Sequence, residues 1–450
     1  MSEELTGVLQ AVRQRVEPTD AERERLDRAA TEVIDRAEAA LEEQGIDGDV
    51  MLVGSTARNT WIAGDRDVDV FVRFPPDTER QRLESVGLDI GHAVLPDGHE
   101  EYAEHPYVVG EVDGYDVDLV PCYDVEDATA IQSAVDRTPF HTEYLRTRLD
   151  DDLADDVRLC KAFLKGIGVY GSDLRTQGFS GYLTELLVLE HDGFRSLIEA
   201  AAEWHPPVRF DPEDHGTATF DDELVVIDPT DPERNVAAAL STANLARFQH
   251  YARELLAEPR GSLFDPSEPE PLDPVAVRAA FDERGTTPVA LTFETPALVE
   301  DDLYPQLEKS LDGVGGLLDR HGFDVLRSAA FADERAVLLF ELEVAQRPAI
   351  ERHVGPPVHV REHADGFYEK YADTDVYGPF VSDDRYVVER ERAYRTAAEL
   401  LESDALFDVA LGTDVESALK TDHTVLIGPA VGTLAETFGR ELAGYLDPKP

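Results

Sequence analysis

The sequence predicts an α+β protein of several domains. Its 450 residues exceed what one hydrophobic core serves, so roughly two to four domains are expected. Apolar residues recur at helical spacing between residues 3 and 44, and short alternating strands follow at 67–72 and 115–120. This mixture within the first 140 residues is typical of a small domain built on a mixed sheet.

Composition and periodicity divide the chain into three segments. We expect a head over residues 1–140, a mostly helical neck over 141–262, and a C-terminal body and tail over 263–450. A linker rich in Pro, Gly and acidic residues at 259–274 separates the last two. After it, the strand–helix–strand–strand order over 288–344 predicts a ferredoxin-like or RRM-like module.

Other elements follow from the same periodicities. The first helical stretch is expected to break near Pro18, and a short buried strand at Val50–Val53 is expected to run into a turn. The remaining expected elements are helices over 142–205, a strand pair over 209–228, a helix over 232–257 and tail helices near 417–419 and 430–446.

Acidic residues dominate the composition. There are 94 Asp and Glu against 41 Lys and Arg, a formal net charge of -53, and only six of the basic residues are Lys. Spread along the chain, these charges repel over long distances in dilute salt, whereas at about 1 M salt the screening length is about 3 Å. We therefore expect a protein from a halophile. An acidic partner-binding surface is the alternative.

The same charge bears on nucleic-acid binding. A basic patch is the usual footprint of a nucleic-acid binder, and the sequence shows none in bulk. If the protein binds RNA, local Arg clusters have to contact it. Because counterion release gives little driving force in high salt, shape and hydrogen bonds have to contribute more. The acidity therefore argues only weakly against an RNA substrate.

Cysteine usage and hydropathy indicate the compartment. Cys122 and Cys160 are too few for a disulfide scaffold or a zinc-ribbon ligand set, and their hydrophobic neighbours predict buried thiols. The N-terminal segment is acidic and has no signal-peptide core. No apolar run approaches the roughly 18 residues of a membrane span. We expect a cytoplasmic protein with no membrane partner.

The stretch VGSTARNTWIAGDRDVDVFV at 53–72 has the residues of a phosphate-binding turn. Gly54 permits a tight turn in which backbone N–H groups converge on an anion. Ser55 adds a hydroxyl at the expected start of a helix, where the dipole favours phosphate. Arg58 follows about one helical turn later, on the same side.

Three aspartates accompany this turn. Asp67 and Asp69 are two residues apart on a strand, so both carboxylates project from one face. Crowded carboxylates repel each other, and Mg²⁺, which binds carboxylates together with phosphates and water, removes that cost. With Asp118 on another strand, two metal ions would serve an in-line phosphoryl displacement. Alternating aspartates alone also form solvated faces, so the prediction depends on the whole combination.

The pattern resembles the polymerase-beta-like nucleotidyltransferases and, over a longer range, the archaeal CCA-adding enzymes (class I tRNA nucleotidyltransferases). The similarity covers residues 50 to about 330, and several blocks lie outside the aspartate-bearing segment. The blocks are VGSTARNTW, DRDVDVFV, YAEHPYV, VDLVPCY, SAVDRTPFH, KAFLKGIGVYG, GFSGYLTELL, DPERNVAAALS and VEDDLYPQLEK. The resemblance implies template-independent addition of C, C and A to the 3′ end of tRNA from CTP and ATP, with a two-metal Mg²⁺ site and release of pyrophosphate.

It also implies roles for individual residues. Asp67, Asp69 and Asp118 match the catalytic metal ligands. The matched ATP and CTP contacts are Ser55, Arg58, His141, Lys161 and Tyr170; Arg234 matches a residue for base selection, and Glu104 and His105 match a segment near the nucleotide. Without the family resemblance, four of these residues have simpler structural interpretations. Lys161 could be a surface lysine, His141 a helix cap, Tyr170 a core residue and Arg234 an exposed charge near a helix start.

Two other functions stay open at this point. Another terminal nucleotidyltransferase, such as a poly(A) or oligoadenylate synthase, would share the aspartates and the turn. A catalytically silent RNA-binding protein belongs to a different class, and the intact aspartate trio argues against it. The C-terminal body and tail are expected to bind tRNA, and a homodimer is left open.

Overall fold

The structure of the protein is a computed structural model that describes residues 3–102, 104–216 and 218–450. Ala103 of the YAEHPYV block and Thr217 of the expected strand pair lie outside the described residues, as do the first two residues. The chain forms two compact units, residues 1–267 and 268–449. The finer division into head, neck and body remains a prediction.

The first unit opens with two helices, α1 (Glu3–Val16) and α2 (Asp20–Glu43). Thr19 caps α2: its hydroxyl accepts from the Glu22 N–H, and the Glu22 carboxylate accepts from the Thr19 backbone. This reciprocal pair satisfies N–H groups that have no partner within the helix. The predicted break near Pro18 is therefore confirmed.

A five-stranded sheet follows, in the order β1-β2-β5-β4-β3. Only β2 and β5 run parallel, so the sheet is mixed as predicted. Its apolar face packs against α2 and α4. The strands and helices are β1 (Asp49–Leu52), α3 (Gly54–Ala57), β2 (Asp67–Phe74), α4 (Arg80–Val94), β3 (His99–Tyr102), β4 (Pro106–Val112) and β5 (Tyr115–Tyr123).

One detail of this sheet differs from expectation. The apolar strand before Gly54 was expected to be buried, yet β1 is exposed at Asp49 and half-buried along Val50–Leu52. It is the edge strand of the sheet, so only β2 covers one side of it. The apolar residue that is fully buried is Val53, at the turn itself.

The rest of the first unit is mostly helical. Its elements are α5 (Thr138–Arg146), α6 (Asp151–Gly166), α7 (Gly181–Glu190), α8 (Phe194–Ala201), β6 (Val208–Phe210), β7 (Leu224–Asp228), β8 (Asp231–Asn235) and α9 (Thr242–Ala257). The helix expected over 232–257 is wrong at its start. The Asn235 side chain accepts from Val226 N and donates to the Leu224 carbonyl, which joins this segment to β7. The helix begins only after the Ser241 cap.

The second unit contains a four-stranded antiparallel sheet in the order β10-β11-β9-β15. With α11 and α14 as connections, this is a ferredoxin-like order, as predicted. The elements are α10 (Pro274–Arg284), β9 (Thr287–Glu294), α11 (Glu300–Arg320), β10 (Val325–Ala332), β11 (Arg335–Leu342), β12 (Ile350–Pro357), α12 (Arg361–Tyr371), β13 (Tyr377–Ser382), β14 (Arg385–Glu391), α13 (Ala397–Leu401), α14 (Thr413–Thr421), β15 (His423–Ile427) and α15 (Ala435–Leu446).

The elements between β11 and α14 form an insertion with its own sheet, in the order β12-β14-β13. The tail helices predicted from periodicity correspond to α14 and α15. Cys122 and Cys160 are both buried free thiols, as expected. Among the described residues, none of the helices combines the length and the apolarity that crossing a membrane requires.

Candidate active site

The predicted aspartates lie on one face of the first sheet. Because β2 and β5 are parallel and in register, Asp67 is opposite Asp116 and Asp69 is opposite Asp118. Side chains of directly paired residues project to the same side. The three predicted carboxylates therefore share this face with a fourth, Asp116, which was not among the predicted ligands.

Crowding and burial make these carboxylates hard to ionise. Burial, followed by the neighbouring carboxylates of Asp69 and Glu101, raises the pKa of Asp118 to about 6. The pKa of Asp69 is also raised, first by burial and then by Asp67. Both causes disfavour the charged form, and a cation bound among the carboxylates relieves both.

The turn beside them depends on a glycine. Gly54 has φ of +69°, a left-handed conformation that side chains other than glycine adopt at a cost. A Cβ atom at this position would lie 1.9 Å from Oδ2 of Asp69. The Thr56 hydroxyl donates to the Asp67 carbonyl at 2.9 Å and joins the turn to β2. Ser55 is half-buried in the single-turn helix α3, where a helix start was predicted.

The donor set of this face suits a hard divalent cation, since carboxylate oxygens are the ligands Mg²⁺ prefers. Across the described residues, however, no group of three His, Cys, Asp or Glu side chains is arranged to hold a metal ion. The three carboxylates thus share a face without converging on one point. The residues fit a metal site in chemistry, and the ligand set remains a prediction.

Arg58 and Lys161 meet at a buried carboxylate from α7. The Arg58 guanidinium donates to Glu185 at 2.9 Å, and the Lys161 ammonium lies 3.6 Å from the same carboxylate. Glu185 is fully buried, yet the two cations outweigh its desolvation, and its pKa is lowered. Two cationic side chains share one carboxylate here, and we call this group the Glu185 cluster.

Lys161 is not the surface lysine that its helix alone would suggest. It is 2% exposed in α6, where its ammonium also donates to the Thr60 carbonyl at 3.1 Å. Burial lowers its pKa, and Glu185 acts in the opposite direction. Tyr170 is close enough to Glu185 and Arg58 for their charges to act on its pKa, which burial raises first of all.

His141 and Arg234 meet at a second buried carboxylate. Oδ2 of Asp228, at the end of β7, lies 2.8 Å from His141 Nε2 and 2.8 Å from an Arg234 nitrogen. His141 also stacks on Tyr182, with ring centroids 3.9 Å apart. His141 lies inside α5 rather than at a helix cap, and Arg234 lies on β8 rather than near a helix start. We call this group the Asp228 cluster.

Arg234 also lines a cleft of about 930 Å³ in the first unit. Arg137, Asp231 and the hydroxyl residues Ser172 and Ser180 contribute to the same wall. The volume is in the range of pockets that hold drug-sized molecules, about 300–1,000 Å³.

Three family models match successive parts of the chain. A nucleotidyltransferase domain matches residues 34–141, the second domain of tRNA nucleotidyltransferases matches 155–265, and the C-terminal domain of CCA-adding enzymes matches 284–428. A CCA-adding enzyme of Haloarcula marismortui is 61% identical, and the match covers 100% of both chains. The chain belongs to the CCA-adding enzymes.

Other relatives agree with this assignment. A CCA-adding enzyme of Halobacterium salinarum is 60% identical over 98% of this chain and 99% of its own. A CCA-adding enzyme of Methanoregula boonei is 45% identical over 95% of this chain and 92% of its own. The family resemblance and the nucleotidyltransferase activity predicted from sequence are confirmed, and the haloarchaeal relatives support the predicted halophilic origin.

Within this CCA-adding enzyme, the YAEHPYV block contributes a residue that sequence reasoning missed. Tyr107 donates to Glu101 at 3.0 Å, and its pKa is raised by burial and further by Asp118 and Asp69. His105 of the same block is buried beside Glu84 of α4, 3.5 Å from its carboxylate, and its predicted place near the nucleotide stays a prediction. Tyr107 is thus the residue of this block whose pKa responds to the aspartate face, the face of Asp67, Asp69 and Asp118.

Two weak signals in the sequence could have pointed to the buried carboxylates. Glu185 interrupts the apolar run Leu183–Val188, and Asp228 ends the apolar run Leu224–Ile227. An ionisable group in such a position is costly to bury unless it is paired. The sequence therefore indicates that each needs a partner, without identifying Arg58 or His141 as that partner.

Proposed function

We propose that the enzyme adds C, C and A to the 3′ end of tRNA without a template, using CTP and ATP and releasing pyrophosphate. The observation that carries the proposal is the face of Asp67, Asp69 and Asp118 beside the Gly54 turn. Membership of the CCA-adding enzymes supports tRNA as the acceptor.

The protein's own residues have three tasks in this reaction. The Gly54 turn and Ser55 offer N–H and hydroxyl donors to the triphosphate. The Glu185 cluster offers Arg58 and Lys161 to the same anion, which would compete with Glu185 for them. When bound, two Mg²⁺ ions held by the three aspartates would favour ionisation of the attacking hydroxyl and neutralise the phosphates.

The transfer needs no covalent enzyme intermediate. The 3′ oxygen of the tRNA forms a bond to the α-phosphorus of the nucleotide. The bond from that phosphorus to the oxygen that bridges the α- and β-phosphates breaks. Pyrophosphate takes the electron pair of the broken bond, and the hydroxyl proton leaves to solvent or base. In-line displacement requires the attacking and leaving oxygens to lie on opposite sides of phosphorus.

Base choice is assigned to the Asp228 cluster. Arg234 lies on the cleft wall and donates hydrogen bonds only, so it recognises acceptor atoms of a base. His141, which stacks on Tyr182, contacts the same oxygen of Asp228 as Arg234 does. Without a template, this pocket and the tRNA end together have to distinguish cytosine from adenine.

The test uses purified protein, high KCl, Mg²⁺ and labelled tRNAs that lack the whole 3′ CCA or only the final A. CTP alone should extend the first tRNA by two nucleotides, ATP alone should extend only the second, and both should complete the first. Asp69→Asn is the negative control. Long extension by ATP alone on either tRNA would instead indicate a poly(A) or oligoadenylate synthase, and no extension would refute both.

A further inference from the structure

Asp228 is a buried carboxylate whose two oxygens have separate sets of partners. It is 0% exposed. Oδ2 accepts from His141 and from Arg234, each at 2.8 Å. Oδ1 accepts from the Thr230 N–H at 2.9 Å and the Thr230 hydroxyl at 2.8 Å, and lies 3.3 Å from the Tyr182 hydroxyl.

The contacts of Oδ1 with Thr230 fix the carboxylate, and Oδ2 is left to accept the hydrogen bond from Arg234. The Thr230 contacts come from the turn after β7, so they hold the carboxylate plane in place from within the same loop. Arg234 lies across that turn on β8, with a side chain that is 36% exposed. A long side chain at that exposure has many rotamers available, and a charge-assisted hydrogen bond to a fixed, buried acceptor selects among them.

The orientation of Arg234 matters for the choice among bases. Arginine only donates hydrogen bonds, so it pairs with base atoms that accept. N3 of cytosine and N1 of adenine are acceptors, whereas the same ring atoms of uracil and guanine carry hydrogens. A guanidinium held in one orientation therefore favours cytosine and adenine over uracil and guanine. A guanidinium free to turn could reach the carbonyl oxygens of uracil or guanine instead.

We infer that Asp228 is a positioning residue that sets nucleotide selection by orienting Arg234 in the cleft. The inference rests on the proposed function, because it takes Arg234 as the residue that recognises the base. Asp228 itself reaches no nucleotide in this scheme. Glu185, the other buried carboxylate, contacts Arg58 and Lys161, which are assigned to the triphosphate. All four nucleotides have the same triphosphate.

Asp228→Asn is the informative variant, because it keeps the shape of the side chain. The Thr230 N–H requires an acceptor, which fixes the amide oxygen on the Oδ1 side. The amide NH₂ then occupies the Oδ2 side, where it meets the donors of Arg234. His141 can adapt by exchanging its ring tautomer, but Arg234 has no acceptor to offer. The substitution should therefore release Arg234 specifically.

The experiment measures kcat/KM for CTP and UTP on tRNA lacking CCA, and for ATP and GTP on tRNA lacking the final A. Asp228→Asn should lower both preferences by at least about tenfold, the scale of one charge-assisted hydrogen bond. Arg234→Ala should lower them to a similar level, and the double variant should lower them no further. Glu185→Gln is the matched control: it should change KM for every nucleotide to the same extent and leave both preferences unchanged.

The outcomes separate this inference from the function it rests on. If the wild-type enzyme adds C, C and A but Asp228→Asn keeps its preferences, the inference is wrong and the function stands. If the wild-type enzyme adds no CCA, the function itself fails. If Asp228→Asn does not fold, Thr230→Val is the substitute, because it removes only the hydroxyl donor to Oδ1. We expect it to lower the nucleotide preference at least about threefold, roughly the effect of one neutral hydrogen bond. An unchanged preference overturns the inference.

Discussion

Replacing Gly54 by alanine tests whether the geometry of the Gly54 turn sets the position of Asp69 on the face of Asp67, Asp69 and Asp118. The added Cβ would lie 1.9 Å from Oδ2 of Asp69 and 2.9 Å from its Cγ, well inside the 3.4 Å at which ordinary contact begins. Either the Asp69 carboxylate or the backbone of the turn must therefore move by about 1.5 Å, which is the difference between 3.4 Å and the 1.9 Å to Oδ2. Both movements change the position of Asp69 relative to the N–H groups of the turn.

The magnitude follows from two separate costs. A left-handed backbone costs a residue with a side chain about 1–2 kcal/mol, and this affects folding stability. A displacement of about 1 Å among reacting groups costs about 100-fold in rate, and this affects catalysis. Gly54→Ala should therefore lose at least about 100-fold in nucleotide incorporation while it loses only about 1–2 kcal/mol of unfolding free energy.

Gly45→Ala is the matched control. Gly45 has nearly the same backbone angle, φ of +65° against +69°, and apart from its chain neighbours no atom lies within 4 Å of the Cβ it would gain. It should lose a similar amount of stability and keep its incorporation rate. The assay pairs CTP incorporation with denaturant unfolding for both variants in high KCl. A Gly54→Ala enzyme that works within about threefold of Gly45→Ala would refute the coupling, because a 1 Å displacement should cost about 100-fold.

Four further outcomes are expected. Asp69→Asn and Asp118→Asn should each keep the fold but incorporate nucleotide at less than about a tenth of the wild-type rate; a higher rate contradicts the ligand assignment. Lys161→Ala should raise KM for CTP and ATP alike, and loss of one nucleotide only would place Lys161 near the base. Against the opposing effect of burial, the hydrogen bonds from His141 and Thr230 lower the folded-state pKa of Asp228, so the Asp228 carboxylate stabilises the fold above its unfolded pKa of about 4, and this stabilisation is lost as pH falls. The difference in unfolding free energy between wild type and Asp228→Asn, measured by denaturant unfolding, should therefore shrink below about pH 4. A difference that grows there would contradict this prediction. Folding and tRNA binding, followed from about 0.1 to 3 M KCl, should both strengthen with salt; tightest binding at the lowest salt would refute the halophile interpretation.

Local periodicity was sufficient to predict the strands of the catalytic face. Asp67 and Asp69 alternate with valines that the core requires, so their shared face follows from the spacing of residues in a strand. Asp118 was predicted by the same alternation on a separate strand. The direct pairing of Asp69 with Asp118 depends on β2 and β5 lying side by side in parallel, and nothing local in the sequence specifies that. The alternation that predicts Asp118 also places Asp116 on the same face of its strand, although Asp116 was not among the predicted ligands.

The partners of the predicted contacts could not be found in this way. Arg58 and Glu185 are 127 residues apart in sequence, and His141 and Asp228 are 87 apart. Arg58 follows α3 and Glu185 lies on α7, whereas His141 lies on α5 and Asp228 ends β7, so only tertiary packing brings each pair together. The wrong helix start at residue 232 has a different cause, since the side-chain hydrogen bonds of Asn235 replace backbone partners and stabilise a strand that propensity alone does not favour.

The charges of the two clusters support the roles proposed for them. Burial lowers the pKa of His141, so near neutral pH the positive charge of Arg234 balances Asp228 and this cluster has no net charge. The Glu185 cluster has two cationic side chains, Arg58 and Lys161, for one carboxylate. A neutral pocket suits a neutral base, and a positive one suits a triphosphate. Because Arg58, Lys161 and Glu185 are buried, salt screens them far less than the acidic surface, so a chain that needs molar salt to relieve its surface repulsion can still attract an anionic nucleotide.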